Sequence, residues 1–343
     1  MSGTVSEVKP TGQRARKAQM RSFIRSIGML PVLIILGILI QAAGVYFTGE
    51  GRFLTWQNLS IVAQQASINA VLGAGMTFVI LIGEIDISIG SLMSLAMTVA
   101  WMVAVAPTAA AGEQAAVSAW VYPVGLAMGL ILGLINGLLI NTLRINSFIA
   151  TLATMFAFRG IAWKMVGSSD KPFADSAVLF LGRTEFLGVG LPVYLVVVTA
   201  IITFVVLTST PFGRYLYAIG GSLRSAVETG LPVNRLRMIA FGVSGLCTAI
   251  AGLITIGRVG TLQAGLGNGF EFTVIAAVVL GGTSLLGGRG TIVGSILGAV
   301  LLVVIDNGLN LINASVYIYD VVKGVILITA VVIDVALLRR LSA

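Results

Sequence analysis

Residues 66–95 read ASINAVLGAGMTFVILIGEIDISIGSLMSL and contain two charged side chains, Glu84 and Asp86. Apolar tracts flank them, upstream over residues 60–82 and downstream over residues 88–106. Each tract approaches the about 20 apolar residues that a helix needs to cross a bilayer. The stretch therefore predicts two membrane-spanning helices around a short acidic connection. The two carboxylates leave three interpretations open: a catalytic pair, an ion-coupling site, or a break between buried helices.

The composition of the whole chain agrees with a membrane protein. Of its 343 residues, 57% are hydrophobic and 10% are charged, and the mean hydropathy is +1.03. Soluble proteins carry about 25% charged residues. The net charge is +8, but the basic residues cluster at termini and loop ends, as in membrane proteins, so we expect no nucleic-acid partner. We predict a basic N-terminal tail, residues 1–27, followed by one transmembrane domain, residues 28–340.

The apolar segments predict an all-α polytopic protein of about ten transmembrane helices, some of them broken by short turns. The predicted spans are 28–48, 60–82, 88–106, 120–142, 147–166, 190–209, 237–257, 272–287, 291–311 and 318–338. With this arrangement most of the basic residues outside the spans fall on the side of the two termini. The positive-inside rule then places both the N- and the C-terminus in the cytoplasm.

The sequence offers little for catalysis. It contains no histidine and a single cysteine, Cys247. Histidine is the commonest general base near neutral pH and a common zinc ligand. The phosphate-binding motif G-x-x-x-x-G-K-[ST] is also missing, so the chain is not an ATP-hydrolysing subunit by that route. We expect no metal and no cofactor in this chain, and a membrane-embedded enzyme is not favoured.

Residues 210–238, TPFGRYLYAIGGSLRSAVETGLPVNRLRM, form the longest polar connection. Ser222 is placed to cap a short helix, which Gly230 and the following proline would end. Arg224 and Glu228 are spaced i,i+4 on that helix. The pattern predicts a short amphipathic helix beside the membrane that another protein can bind. A solvated connector is the alternative.

Several stretches carry a resemblance to a known family. They are residues 66–95, FIATLATMFAFRG (148–160), FGRYLYAIGGSLRSAVETGLPVNRLRM (212–238), FTVIAAVVLGGTSLLGGRGTIVGSILGAVLL (272–302), DNGLNLI (306–312) and YDVVKGVILITAVVIDV (319–335). In them the chain resembles the ribose/xylose/galactose-type permeases of bacterial monosaccharide ABC importers. Ala226 and Gly230 match the A-x-x-x-G core of the family's coupling segment. Glu84 departs from the family pattern, which usually has glycine there.

The resemblance implies a function and a set of partners. A separate ABC ATPase, which binds ATP and Mg²⁺, would dock on the cytoplasmic coupling segment, residues 210–236. An extracytoplasmic binding protein would deliver a monosaccharide or small polyol, and a second permease copy or a paralogue would complete the path in the bacterial inner membrane. The residues expected to couple transport to the ATPase are Arg214, Gly220, Gly221, Arg224, Ala226, Glu228 and Gly230.

A path for a neutral sugar is expected to be lined by amides, hydroxyls and aromatic rings. The candidates within the spans are Gln64, Gln65, Ser67, Asn69, Asn136, Phe148, Thr151, Asn307 and Asn310. Such side chains more often bond a neighbouring helix, which is the alternative for each of them. Arg159 lies within a span, where an ion pair or a cluster of carbonyl groups is the favoured environment.

Two interpretations of the acidic residues remain. Asp86 and Ser88 are expected to cap the start of the third span, because an acid there suits the helix dipole. An ion-coupled secondary transporter of a small polar solute is the alternative function, since such proteins carry carboxylates within the membrane. The acidic residues fall near predicted span ends, which argues against it.

Overall fold

A computed structural model describes most of the chain. The described residues are 29–105, 117–167, 170–173, 177–263, 265–315, 317–319, 321–326, 328–329 and 332. The predicted basic tail lies outside them, as does much of the predicted tenth span.

Helices dominate the described residues, because an apolar chain satisfies its backbone hydrogen bonds most simply within each helix. The helices are α1 (Met29–Thr48), α2 (Trp56–Leu81), α3 (Ile89–Ala104), α4 (Val121–Leu143), α5 (Ser147–Val166), α6 (Ala177–Arg183), α7 (Leu191–Ser209), α8 (Pro211–Gly221), α9 (Leu223–Glu228), α10 (Val233–Val259), α11 (Phe270–Leu280) and α12 (Ile292–Leu311). The short strands are β1 (Lys171–Pro172), β2 (Glu185–Phe186), β3 (Val189–Gly190) and β4 (Thr261–Leu262). Strand β1 pairs antiparallel with β4, and β2 pairs antiparallel with β3.

Among the described residues, 7 helices are long and apolar enough to cross a membrane: α1, α2, α4, α5, α7, α10 and α12. Two further apolar helices are shorter, with 16 residues in α3 and 11 in α11. At 1.5 Å per residue α11 extends about 17 Å, little more than half of a hydrocarbon core. The predicted eighth span, residues 272–287, is therefore wrong in extent. Helix α11 ends at Leu280 because Gly281 and Gly282, the latter with φ +88°, turn the chain.

The helix ends gather at two opposite faces. The coupling face is formed by residues 81–88, 141–147, 209–237 and 281–291. The hairpin face is formed by residues 49–57, 170–173, 177–190 and 259–263. Across the coupling face, the backbone N–H of Gly288 donates to the carbonyl oxygen of Leu81 at 2.8 Å. Contacts of this kind hold the ends of distant helices together on each side of the bundle.

Small residues bring α4 and α10 close together, as is typical of helices in membranes. A methyl group on Gly129 would lie 2.5 Å from the Ala249 Cβ and 2.5 Å from the Gly245 carbonyl oxygen. A methyl group on Gly133 would lie 2.3 Å from the Phe241 carbonyl oxygen. The two backbones therefore pack without room for side chains, which fixes α10 and the coupling segment before it against the core.

Residues 82–88, which we call the hinge segment, connect α2 to α3 without regular structure. The sequence predicted a turn at the end of a span, but the segment enters the interior. Its backbone bonds to the first turns of α5: Ser147 Oγ accepts the N–H of Ile85, and Thr151 Oγ1 accepts the N–H of Ile87, both at 3.1 Å. These side chains replace the hydrogen bonds that a continuous helix would have made.

Candidate functional site

The coupling segment folds as two short helices, α8 and α9. The predicted helix around residues 222–230 is confirmed as α9. The Ser222 Oγ accepts the Ser225 N–H at 3.2 Å, as predicted for an N-cap. The predicted i,i+4 pair is also present, with 2.9 Å between Arg224 Nε and Glu228 Oε1. Gly230 follows with φ +78°, a conformation that favours glycine.

Helix α8, which begins at Pro211, was not predicted from the sequence. Proline is well suited to the first helical turn, because the backbone N–H that proline lacks would have no partner within the helix at that position. Gly213 allows the corner after α7, since a methyl group on it would lie 1.9 Å from the Leu207 carbonyl oxygen. Leu216 and Ile219 are buried, so one face of α8 packs on the bundle.

The two faces of α9 differ in exposure. Ala226 is only 3% exposed and belongs to an apolar cluster with Leu216 and Val233. Leu223 and Val227, which flank Ala226 one helical turn apart, are 49% and 59% exposed. Ala226 therefore holds α9 against the bundle, while the leucine and valine side chains face outward.

The remaining predicted coupling residues lie on α8. Arg214 is exposed in its first turn, and Gly220 and Gly221 form its last two positions. Gly220 is partly buried, whereas Gly221 is exposed.

An ion pair connects the hinge segment to α10 beneath these helices. The Arg237 Nε lies 2.8 Å from Glu84 Oε1, and its Nη1 donates to Asn141 Oδ1 at 2.8 Å. The Asn141 Nδ2 donates in turn to the Asn234 carbonyl oxygen at 2.8 Å. A cavity of about 540 Å³ lies beside the pair and reaches Leu223 of α9. The network joins the hinge segment, α4 and α10 next to the coupling segment.

Asp86 makes a separate buried network. Its Oδ1 accepts the Ser88 backbone N–H at 2.9 Å and the Ser88 Oγ–H at 2.6 Å. Asn136 Nδ2 donates to the Ser88 Oγ at 2.7 Å. Ser88 occupies the N-cap position of α3, but its side chain makes no capping hydrogen bond. The prediction of a side-chain cap is therefore wrong for Ser88, because its hydroxyl is engaged by Asp86 and Asn136.

The two carboxylates of the opening stretch thus have different partners. Glu84 faces Arg237 at the coupling face, whereas Asp86 is fully buried against Ser88. The sequence identified Glu84 only as a departure from the family pattern. The arginine lies 153 residues away along the chain, and no local pattern connects the two positions.

At the hairpin face, α2, α6, α10 and the β2–β3 hairpin line an open cavity of about 490 Å³. Two path candidates, Gln64 and Gln65, line it together with Thr255. Arg183 and Arg258 also line it and were not singled out in the sequence. Amide, hydroxyl and guanidinium groups and the carboxylate of Glu185 therefore line a space large enough for a small polar molecule.

Other path candidates bond within the protein. Ser67 Oγ donates to the Ala63 carbonyl oxygen at 2.8 Å, within α2. Asn307 and Asn58 exchange two side-chain hydrogen bonds, at 2.9 and 3.0 Å, which tie α12 to α2. Asn136 and Thr151 support the hinge segment, as described above.

Three path candidates have other environments. Phe148 is 48% exposed on α5, and Asn310 is exposed near the end of α12. Asn69 is partly buried on α2, and its Oδ1 has no hydrogen-bond partner among the described residues.

Arg159 forms the expected ion pair. Its Nη2 lies 3.4 Å from Oε1 of Glu271, which is 3% exposed in the first turn of α11. The first turn of α3 meets the same carboxylate, since a methyl group on Gly90 would lie 2.5 Å from Glu271 Oε2. An acid between two helix starts is favoured by both dipoles. Glu271 in the first turn of α11 and Asp86 just before α3 thus lie near helix ends, as expected from the sequence, but both side chains are buried within the bundle.

The class of protein follows from these features: it is a multi-pass membrane transport protein. Its apolar helices are long enough to span a membrane, and two shorter apolar helices have buried starts. A polar cavity lies at one face, and a helix pair faces outward at the other. A family model described as "Branched-chain amino acid transport system / permease component" matches residues 58–331. The chain belongs to this family of transport-system permease components.

Characterised relatives match over nearly the whole chain. The ribose import permease protein RbsC of Escherichia coli (strain K12) is 38% identical, over 86% of this chain and 91% of the relative. The protein of the same name in Bacillus subtilis (strain 168) is 37% identical, over 90% and 91%. The L-arabinose transport system permease protein AraH of Escherichia coli (strain K12) is 34% identical, over 96% and 97%. No solved structure matches the chain.

The comparisons establish the general role of the chain. It is a non-catalytic transport subunit and a multi-pass protein of the bacterial inner membrane.

Proposed function

We propose that the chain is the membrane-spanning subunit of an ATP-driven ABC importer that carries a monosaccharide or a related small polyol into the cytoplasm. The observation that carries the proposal is the outward-facing α8–α9 pair on a chain similar to ribose and L-arabinose permeases. In an energy-coupled permease, a second subunit can bind a surface of this kind and move the helix pair as a rigid unit.

A separate ATPase docks on α9, with ATP and Mg²⁺ bound in that partner. Leu223 and Val227 supply the apolar part of the contact, because both are exposed on one side of the helix. Arg224 and Glu228 flank them with one charge of each sign. Ala226 acts from the buried side, where its small size lets α9 lie close to the bundle.

The cavity at the hairpin face receives the sugar from an extracytoplasmic binding protein. A neutral polyhydroxyl ligand is bound by amides and hydroxyls, such as those of Gln64, Gln65 and Thr255. The volume, about 490 Å³, lies within the range of small-ligand sites. A second permease copy or a paralogue completes the translocation path.

Reconstitution tests the proposal. The permease is co-purified with its ATPase and binding protein, and ATP hydrolysis is measured with ribose, arabinose, other pentoses, hexoses, polyols and leucine. Stimulation by one sugar or polyol is the expected result. Stimulation by leucine alone, in line with the family description, would replace the proposed substrate class.

Variants of α9 separate its two faces. Ala226→Glu places an unpaired charge in an apolar cluster and is expected to abolish binding of the ATPase, because α9 loses its packing. Ser225→Glu, at a neighbouring exposed position, is the matched control and is expected to retain binding. Equal binding by both variants would contradict the proposed docking.

An ion-coupled secondary transporter remains a second candidate, on a specific observation. Asp86 and Glu271 are buried carboxylates within the bundle, and such groups carry protons or ions in secondary transporters. An uncoupler distinguishes the two mechanisms. Uptake that stops when the proton gradient is dissipated while cellular ATP stays high would support ion coupling, and uptake that follows ATP supports the ABC importer.

A further inference from the structure

Three distant segments meet through their backbones at the coupling face. The end of α8 contributes Gly220, the end of α2 contributes Leu81, and the turn between α11 and α12 contributes Gly288. A methyl group on Gly220 would lie 1.9 Å from the Leu81 carbonyl oxygen and 2.3 Å from the Gly288 nitrogen. That carbonyl already accepts the Gly288 N–H at 2.8 Å. No side chain fits between the three backbones.

A second glycine of the turn tightens the same meeting point. A methyl group on Gly287 would lie 2.8 Å from the Gly83 nitrogen and 3.1 Å from the Gly220 Cα. Gly287 has φ +84°, so glycine is favoured there for its conformation as well as for space. We call Leu81, Gly220, Gly287 and Gly288 the backbone junction.

A side-chain hydrogen bond braces α8 against the same turn. The Tyr217 hydroxyl donates to the Gly290 carbonyl oxygen at 2.7 Å. Burial raises the pKa of Tyr217 to about 12, so the hydroxyl keeps its proton at physiological pH and remains a donor. Helix α8 is thus attached to the α11–α12 turn at two positions one helical turn apart.

The junction lies where two pairs of consecutive helices are interrupted, between α2 and α3 and between α11 and α12. Leu81 directly precedes the hinge segment that leads to α3, and Gly288 lies in the turn that joins α11 to α12. Backbone atoms in contact cannot change rotamer to absorb a displacement, whereas long side chains can. A movement of α8 must therefore displace the end of α2 and the α11–α12 turn together.

We propose that the backbone junction transmits the movement of the coupling segment to the two short helices, α3 and α11. The proposal rests on the proposed function, in which an ATPase moves the coupling segment. It makes Gly220 a positioning residue for transport, acting through backbone contact and not through the ATPase surface. Because α3 and α11 also meet at Glu271, one movement reaches both helices.

Two glycines provide the test. Gly220→Ala forces the backbones apart, whereas Gly160→Ala on α5 is the control, because nothing lies within 4 Å of a methyl group at Gly160. Both variants are reconstituted with the ATPase, the binding protein and the sugar that stimulates the wild type. Gly220→Ala is expected to bind the ATPase and hydrolyse ATP while sugar uptake per ATP falls about tenfold, a size typical of coupling between sites. Gly160→Ala is expected to match the wild type.

Wild-type uptake per ATP in Gly220→Ala would overturn the proposal, as would an equal loss in both variants. Failure of the proposed function looks different, because the wild type itself would then show no association with an ATPase.

A milder change covers the case in which Gly220→Ala does not assemble. Tyr217→Phe removes the hydroxyl alone and is expected to lower uptake per ATP about fivefold, in proportion to one lost hydrogen bond. Tyr215→Phe, at an exposed position of the same helix, is its control and is expected to be silent. Identical uptake per ATP in the two tyrosine variants would overturn the proposal.

Discussion

The ion pair between Glu84 and Arg237 has a natural control in the same chain. It joins an arginine Nε to a glutamate Oε1 at 2.8 Å, and the pair between Arg224 and Glu228 joins the same atoms at 2.9 Å. The side chains of the inner pair are 16% and 15% exposed, and those of the outer pair are 89% and 61% exposed. The two pairs therefore differ mainly in their access to water.

The expected energies follow from that difference. An exposed i,i+4 pair contributes about 0.3–0.5 kcal/mol. A hydrogen bond to a charged group with little access to water contributes about 1.5–3 kcal/mol. Loss of one partner from a fully buried pair costs about 3–5 kcal/mol, but Asn141 still bonds Arg237 when Glu84 is changed. We therefore expect a coupling energy of about 1.5–3 kcal/mol for the inner pair.

Double-mutant cycles measure both energies. One cycle uses Glu84→Gln, Arg237→Gln and the double variant, and the other uses Glu228→Gln, Arg224→Gln and their double variant. Reversible unfolding in mixed micelles gives the free energy of unfolding for each. Added salt is expected to weaken the outer pair more than the inner pair, since exposed charges are screened more strongly. Equal coupling energies in the two cycles would refute the reasoning from burial.

Two further predictions concern helix packing, both measured by thermal unfolding. Asn58→Leu leaves the Asn307 amide buried without its partner, so we expect the free energy of unfolding to fall by about 1–3 kcal/mol. Part of this stability returns in the double variant with Asn307→Leu. A double variant whose loss equals the sum of the two single losses would contradict this. Gly129→Ala places a methyl group 2.5 Å from the Ala249 Cβ and is expected to cost about 1–3 kcal/mol by overpacking. Gly160→Ala meets nothing within 4 Å and is the control expected to be neutral or stabilising, so equal losses would count against close packing of α4 and α10.

The features that the sequence predicted well depend on near neighbours. The Ser222 cap and the Arg224–Glu228 pair each involve residues three or four positions apart, where the geometry of a helix decides the contact. The apolar spans are likewise local properties of composition. Gln64 and Gln65 were chosen because amides bind neutral sugars, and the structure places both at the hairpin-face cavity; their role in a transport path stays a prediction.

Other features depend on tertiary packing and could not be predicted. Helix α8 contains a proline and several glycines, which do not favour a helix prediction. One of its faces is buried against the end of α7 and the α11–α12 turn, and these contacts are known only from the structure. The burial of Ala226 could not be predicted either. The A-x-x-x-G pattern identifies the coupling segment but does not show which side of its helix packs on the bundle. The partners of Glu84 and Glu271 lie 153 and 112 residues away.

The two ends of the hinge segment are held by different kinds of hydrogen bond. At its α2 end, backbone atoms of Leu81 and Gly288 are in direct hydrogen-bonded contact, which is stiff. Towards α3, the segment is held by side-chain hydroxyls of Ser147 and Thr151 and by the Asp86 carboxylate. Such bonds form again after small displacements, because hydroxyls rotate to suit a new geometry. In the mechanism that we propose, a push on α8 would therefore reach the start of the hinge segment through the backbone junction, and the segment would bend where its hydrogen bonds can adjust.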